Sequence, residues 1–395
     1  MVTSAERMRA HRGPAILSYG FRPFFLLGAV WAAFLIAIWL PMLGGALTLP
    51  TAFSPLEWHA HELLYGYVPA IVAGFLLTAV PNWTGRLPVT GWPLLALVAT
   101  WVAGRLAILG SARTGAAVAA VVDLAFLGTL AAVIAREIVA GRNLRNLKVL
   151  ALVGLLWLGN AIFHWQAMTA GGAGYGIRLG IGVTVLLITV IGGRIIPSFT
   201  RNWLARRAPG RLPTPFGRFD VACLGAGAIA LASWVAAPLA WPTAVLAALA
   251  GGLHAVRLAR WAGYRSLGEP LVLVLHVAYA FVPIGFLLLS LAIAAPGLLH
   301  ASGALHAWTV GAVGTMTLAV MTRATLGHTG QALVASASTQ CIYLAIVVAA
   351  IARLLNAFAL WHQATLTVAA VAWVLAFAGF ALCFGGLLLK PRPAS

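Results

Sequence analysis

The sequence predicts an all-α, polytopic membrane protein, and three observations support this fold class. Of the 395 residues, 62% are hydrophobic and only 8% are charged, and the mean hydropathy is +0.98. The apolar residues form twelve runs of about 18–25 residues, the length that a helix needs to cross the hydrocarbon core of a bilayer. The polar segments between these runs are short. We therefore expect twelve transmembrane helices in one integral membrane domain, without a soluble domain.

The predicted spans follow one another from residue 21 to residue 388. A segment of residues 1–20 precedes them and a tail of residues 389–395 follows, so the single membrane domain comprises residues 1–395. In chain order, the spans are expected near 21–43, 57–81, 92–110, 115–135, 147–169, 175–197, 218–238, 241–260, 270–293, 301–322, 336–355 and 363–388.

The basic residues predict the orientation of these spans. With both termini in the cytoplasm, the inner segments hold all of the 25 Lys and Arg residues except Arg105, Arg113, Arg178 and Arg353. Basic residues are enriched in cytoplasmic loops, so we expect cytoplasmic N and C termini. The same placement in short loops explains the net charge of +18 without a nucleic-acid partner.

The strongest site signal is the stretch WHAHE at residues 58–62, at the outer mouth of the second span. Imidazoles and a carboxylate are costly at such a position unless they serve a function. Histidine is the commonest neutral metal ligand and also serves as an axial ligand of haem iron. Successive helical residues differ by about 100°, so His59 and His61 point about 200° apart and one ion could not easily bind both. Two centres could use them, and the simpler alternative is a pair of interfacial histidines.

The remaining histidines fall into two groups by their predicted depth. His306 at the outer start of the tenth span and His164 in the fifth span join His59 and His61 as an outer set of metal ligands. His276 lies well inside the ninth span, where an imidazole is rarely without a function. With His254 and His328 it forms a second, inner candidate site, whose alternatives are a helix-end histidine and a capped turn. Three further histidines are interpreted as interfacial, namely His11, His300 and His362.

Two carboxylates complete the polar groups of interest. Glu62 is placed to orient a ligand imidazole by accepting a hydrogen bond from its second nitrogen. Asp123 lies inside the fourth span, where nothing cationic shares its helix face, and Arg105 of the third span could pair with it. A proton relay through Asp123 is the alternative.

A weak internal repeat is visible in the second, sixth and tenth spans. All three run inward and end in polar turns, and residues 61–85 and 306–330 cover the same 25 positions from His to Thr-Gly. The spacing of four spans predicts three four-helix units, an arrangement in which membrane proteins often place sites between repeats. The alternative is that helix ends simply favour Gly turns.

Four stretches of this sequence share their pattern with known proteins. They are GFRPFF at 20–25, WHAHE at 58–62 with residues 74–85, GRIIP at 193–197, and residues 305–330 with MTLAVMTR and GHTG. Together they resemble the NnrS family, from the first span to the loop after the tenth. The resemblance implies a bacterial inner-membrane protein that contains b-type haem and copper and is associated with nitric oxide and denitrification.

The resemblance also sharpens the residue assignments. For haem we expect His59 or His61 opposite His306, and the haem propionates need arginine partners. Arg178 is the outer candidate, and Arg22 and Arg194 are inner candidates whose alternative is anchoring at the cytoplasmic face.

Three functions remain open at this point. The protein could bind or convert nitric oxide or another small gas in the bilayer, transport or handle a metal or haem, or sense nitric oxide without turnover. No nucleotide-binding or nucleophile motif is visible in the sequence, and no motif indicates an electron donor or an oligomeric state.

Overall fold

The computed structural model describes residues 13–207, 209–299 and 301–392, and it contains helices and no strand within them. His11 and His300, both interpreted as interfacial, lie outside the described residues. Twelve helices are long and apolar enough to cross a membrane, as the sequence predicts. They are, as α1 to α12, Phe21–Leu43, Pro55–Thr84, Trp92–Leu109, Ala116–Ala140, Leu144–Thr169, Gly174–Leu204, Arg218–Ala236, Trp241–Ala259, Pro270–Ala294, Gly303–His328, Ala337–Ala357 and His362–Leu389.

Several helices are longer than their apolar runs. α6 continues to Leu204 and α10 to His328, whereas the apolar runs end near residues 197 and 322. Helical hydrogen bonding does not need apolar side chains, so a helix can continue past the apolar run that predicts it. The orientation of the spans rests on the charge pattern alone, so the cytoplasmic location of both chain termini stays a prediction.

The start of α2 is fixed by a reciprocal cap at Ser54, five residues before His59. Ser54 Oγ accepts a hydrogen bond from the Glu57 backbone N–H at 3.3 Å, and Glu57 Oε2 accepts one from the Ser54 backbone N–H at 3.1 Å. Pro55 occupies the first helical turn, where its missing N–H costs nothing. The cap therefore sets the helical phase from which both histidines project.

Both α2 and α10 contain a π-helical segment directly after a histidine. Glu62–Tyr67 follows His61, and Ala307–Gly314 follows His306. The two helices are then followed by Gly85 and Gly330, which have φ values of 70° and 78°. The π segments and the left-handed glycines fall at matching positions of the two 25-residue stretches, which supports the repeat of spans two and ten. Such π segments often occur at functional sites.

The contacts divide the chain into two compact units. The first unit holds the described residues of 1–180, 321–332 and 377–395, and the second holds those of 181–320 and 333–376. The predicted single domain and the three four-helix units stay predictions.

Glycines bring helices close together inside the first unit. A Cβ added at Gly74 would lie 2.6 Å from the ring of Phe25, so α1 and α2 are in close contact there. A Cβ at Gly104 would lie 3.3 Å from Cα of Asp123, so α3 and α4 also meet closely. Small residues permit such approach between helices in a membrane.

Candidate metal centre

Six polar side chains meet in the interior of the first unit, contributed by α2, α3, α4 and α5. None of the five ionisable side chains among them is more than 3% exposed, and the sixth residue, an asparagine, is 0% exposed. Polar groups buried so deeply in apolar helices are costly unless they are paired or functional. We call them the buried polar cluster, which consists of His61, Glu62, Arg105, Asp123, Asn160 and His164.

Asp123 is the centre of the buried polar cluster. Its Oδ2 lies 3.2 Å from His61 Nε2 and 3.1 Å from His164 Nε2, and it accepts a hydrogen bond from Asn160 Nδ2 at 2.7 Å. Its Oδ1 accepts a hydrogen bond from Arg105 Nη2. One carboxylate therefore contacts four side chains from three other helices, and the predicted pairing of Arg105 with Asp123 is present.

Glu62 contacts the second ring nitrogen of His61, on the side away from Asp123. Its Oε1 lies 3.0 Å from His61 Nδ1 and accepts a hydrogen bond from Arg105 Nη1 at 2.5 Å. A carboxylate on the far nitrogen of an imidazole is the usual way to fix the orientation of a metal-ligating histidine. If the single N–H of a neutral His61 ring points to Glu62, its Nε2 lone pair faces Asp123.

The short distance between His61 Nε2 and the Asp123 carboxylate favours a cation between these two groups. A lone pair on His61 Nε2 and a carboxylate oxygen 3.2 Å away repel each other unless a proton or a metal ion lies between them. Among the described residues, His61, Asp123 and His164 form a group of three potential metal ligands whose donor atoms lie within 4.8 Å of one another. Metal bonds of about 2.0–2.2 Å in a tetrahedral shell put neighbouring ligand atoms about 3.3 Å apart. The observed separations therefore fit one transition-metal ion.

The charges of the buried polar cluster cancel only when a second positive charge, a proton on His61 or a metal ion, joins that of Arg105. Glu62 and Asp123 contribute two negative charges, and Arg105 contributes one positive charge, so one negative charge remains when both imidazoles are neutral. Glu62 Oε2 is buried and has no hydrogen-bond partner among the described residues. A bound cation would compensate this surplus charge.

The second unit contains a buried ion pair that serves as an internal comparison. Arg257 donates from Nε to Asp220 Oδ1 and from Nη1 to Tyr279 Oη, each at 2.9 Å, and His254 Nδ1 lies 2.8 Å from the same Tyr279 Oη. Asp220 thus faces the buried guanidinium of Arg257, and Arg260 Nη2 lies 3.9 Å from its other oxygen. His254 is also poorly placed for a metal, because a Cβ added at Gly227 would lie only 2.8 Å from its Nε2.

The other predicted histidines have separate surroundings. His59 stacks on Trp39, with ring centroids 4.1 Å apart, a setting different from that of His61. His276 Nε2 lies 2.8 Å from Thr200 Oγ1 in the second unit, and its other nitrogen faces Gly263. His328 packs on Tyr19 and Phe21, with ring centroids 5.6 and 5.4 Å away, in the first unit.

The predicted outer set is only partly assembled within one unit. His61 and His164 are brought together, whereas His306 belongs to the second unit, where Arg353 Nη2 lies 3.0 Å from its Nε2. The roles of His59 and His306 as ligands stay predictions, and so does the inner set of His254, His276 and His328.

The three arginines expected to bind haem propionates also have individual settings. Arg22 is fully buried, and its Nη1 donates to the carbonyl oxygens of Leu388 at 2.9 Å and Lys390 at 2.7 Å, at the C-terminal end of α12. Arg178 lies over the ring of Tyr175 at 4.5 Å, and Arg194 is exposed. Arg22 thus has a structural role that the sequence did not suggest.

A haem does not fit at His61. Both ring nitrogens have polar partners within 3.2 Å, and the rings of Phe53 and Phe163 lie against the imidazole with centroids 5.8 and 4.9 Å away. An axial ligand needs a free nitrogen facing a gap as wide as the macrocycle. The buried polar cluster therefore suits a single ion and not a haem.

Sequence reasoning missed two members of the buried polar cluster as site residues. The sequence predicts an ion pair or a proton relay for Asp123 inside the fourth span, but not metal ligation, and it does not single out Asn160. The available signal was the spacing of Asn160 and His164, which puts both on one face of α5.

The family comparison agrees with the resemblance seen in the motifs. A family model described as NnrS protein matches residues 15–392, nearly the whole chain. The match covers all twelve helices, including the last two, which contain little of the motif pattern. No curated protein matches the chain.

Proposed function

Because this chain belongs to the NnrS family, we propose that it is a copper-binding, multi-pass protein of the bacterial inner membrane that binds or converts nitric oxide within the bilayer. The family is associated with nitric oxide, and the twelve apolar helices make the chain a multi-pass membrane protein. The copper ion, its site and the link to denitrification and nitrosative stress go beyond this family association and are the parts that we propose.

The observation that supports this proposal is the convergence of His61 Nε2, His164 Nε2 and Asp123 Oδ2 in a buried cluster that holds two carboxylates and one arginine. Imidazole and carboxylate donors suit copper, among other transition metals.

Each side chain of the buried polar cluster has a distinct task in this proposal. His61, His164 and Asp123 supply the donor atoms. Glu62 orients the His61 ring through its Nδ1, and Arg105 holds both carboxylates in place. The rings of Phe53 and Phe163 exclude water from one side of the site. Copper bound there would supply an open coordination position for nitric oxide and a one-electron redox couple.

The location of the site suits the proposed ligand. Nitric oxide is a small neutral gas that partitions into the bilayer, so it reaches an intramembrane centre without a polar channel. An ionic substrate would face the cost of desolvation at the same position. Haem stays an expectation from the family association, and no step of the proposal uses it.

The proposal is tested on the purified protein in lipid nanodiscs. Metal analysis is expected to find copper in the wild type and to lose it in His61→Ala and His164→Ala. Asp220→Asn changes a similarly buried polar residue of the second unit that belongs to no predicted metal set, and it serves as the control. Copper retained by both first-unit variants would overturn the assignment.

Two further measurements separate the alternative functions. Electron paramagnetic resonance and optical spectra with and without nitric oxide report binding, and anaerobic nitric oxide consumption with an electron donor separates an enzyme from a sensor. A protein free of bound metal would favour the transporter or metal-handling alternative.

A further inference from the structure

A pocket of about 510 Å³ lies in the first unit where α2 ends, α3 begins and α4 ends. We call it the basic pocket, and it is lined by residues 85–90, Pro93, Arg136 and Glu137. Arginine side chains there face a wall that is otherwise mostly apolar. We propose that the basic pocket binds the phosphate group of an anionic phospholipid, a site that does not depend on the metal centre.

Glu137 holds the two arginines of the basic pocket in position. Its Oε2 accepts a hydrogen bond from Arg86 Nε at 2.5 Å, and its Oε1 accepts one from Arg136 Nε at 2.9 Å. The carboxylate side chain is 9% exposed, whereas those of Arg86 and Arg136 are 43% and 66% exposed. A guanidinium has five N–H groups, so both arginines keep donors for an outside ligand. Two guanidiniums around one carboxylate also leave a net positive charge, which suits an anion.

The connection between α4 and α5 adds further positive charge beside these helix ends. Asn143 Nδ2 donates a hydrogen bond to the carbonyl oxygen of Trp83, and a Cβ added at Gly141 would lie 2.5 Å from Cβ of Thr84. The connection is therefore packed against the end of α2. Segments 82–93 and 133–148 together contain five basic residues and a single acidic one, and the basic residues are Arg86, Arg136, Arg142, Arg145 and Lys148.

Exposed apolar side chains lie among these charges. Leu87 in the wall of the basic pocket is exposed, and so are Leu144 and Leu147 in the connection between α4 and α5. Trp92 at the start of α3 is 82% exposed. Tryptophan is enriched where a membrane meets water, at the level of the lipid head groups. Exposed leucines next to exposed arginines fit the same depth, where acyl chains and phosphates are both within reach.

The apolar part of the wall favours a lipid over a free inorganic anion. Leu87, Val89 and Glu137 line both the basic pocket and a smaller cavity, whose other lining residues are Leu77, Val80, Pro81 and Ile134. A phospholipid can place its phosphate at the guanidiniums and its glycerol and first methylene groups against this wall. The charge pattern also predicts that these loops face the cytoplasm, and basic pockets between helices on that side bind anionic head groups.

The test uses the full-length protein in phosphatidylcholine nanodiscs that contain a minor fraction of phosphatidylglycerol. Native mass spectrometry identifies the lipid that stays bound to the protein and gives its relative affinity. We expect phosphatidylglycerol to be retained in preference to phosphatidylcholine, and equal retention of the two lipids would overturn the proposal. Glycerol 3-phosphate, added in millimolar excess, should not displace the lipid. Displacement would show a site for a free phosphate and would overturn the lipid assignment.

Two variants of the basic pocket should change this preference in opposite directions. Arg136→Gln should lower the affinity for phosphatidylglycerol relative to phosphatidylcholine about fivefold, the usual effect of one basic residue near an anionic membrane surface. Glu137→Gln keeps the shape of the side chain and removes the negative charge, so the relative affinity should rise by a similar factor. Arg113→Gln changes an exposed arginine in the connection between α3 and α4, away from the basic pocket, and should have no effect.

The opposite signs separate lipid binding from a purely structural ion pair. If the contacts of Glu137 served only to join the helix ends, both variants would loosen the same contact and neither would raise the relative affinity. A relative affinity that stays constant in both variants, or falls in both, would therefore overturn the proposal. The side chain of Arg136 is 66% exposed, so Arg136→Gln decides the question against the Arg113→Gln control if Glu137→Gln does not fold.

Discussion

Gly104 faces Asp123 so closely that a Cβ at position 104 would lie 3.1 Å from the carboxylate Oδ1. The carboxylate can move away only by breaking its contacts with Arg105, Asn160 and the two histidines. We therefore predict that Gly104→Val displaces Asp123 and lowers the copper content by half or more. Gly154→Val on α5 is the control, since nothing lies within 4 Å of a Cβ there. Equal metal content in both variants would contradict the prediction.

Removing the central carboxylate should affect both stability and metal content. Asp123→Asn leaves Arg105 without one partner, and breaking a buried ion pair typically costs about 3–5 kcal/mol. Asp220→Asn breaks the comparable pair with Arg257 in the second unit. Thermal unfolding should show a loss in both variants, whereas metal analysis should show a loss of copper only in Asp123→Asn. A copper loss in Asp220→Asn as well would indicate general unfolding instead of a ligand effect.

Substitutions of the two histidines of WHAHE should differ in their effect on copper content. The sequence alone suggests a metal role for both, but His61 lies in the buried polar cluster and His59 stacks on Trp39. We expect His61→Ala to lose copper from the cluster and His59→Gln to retain it at near wild-type stoichiometry. Metal analysis with the copper electron paramagnetic resonance spectrum distinguishes them. Loss of the same signal in His59→Gln would mean that the two residues share one centre.

Arg22 is expected to stabilise the C-terminal end of the last helix, α12. Its Nη1 donates to backbone carbonyls at the end of α12, and hydrogen bonds to a charged group typically contribute about 1.5–3 kcal/mol. Arg22→Gln is expected to lower the unfolding temperature and to increase proteolysis near residue 389. Arg194→Gln, which changes an exposed arginine, should have a smaller effect on both measurements. An unfolding temperature equal to that of wild type in Arg22→Gln would exclude the capping role.

The sequence predicted the helices well because a membrane span has a simple physical requirement. About twenty apolar residues in a row suffice, and all twelve runs became helices. The pairing of Arg105 with Asp123 was predictable for a similar reason, since two opposite charges in neighbouring spans are expected to meet.

The full cluster could not be predicted because it depends on the rotation of helices about their axes. His61, Asp123 and His164 come from three helices, and only packing decides whether their side chains point to one place. The sixth member, Asn160, is neutral, so the sequence pattern does not single it out as a site residue. The π segments were equally hidden, since no residue type marks them in sequence.

The π segment after His61 has a consequence for comparing relatives of this chain. A π turn contains one residue more than an α turn, so a homologue that lacks one residue between positions 62 and 67 can form a regular α-helix there and keep WHAHE in the same orientation relative to the rest of the helix. A one-residue gap in the regular α-helical part at 68–84 would instead rotate the motif by about 100° and direct its second imidazole elsewhere. The position of such a gap, rather than identity of the motif, should therefore decide which relatives keep the buried polar cluster.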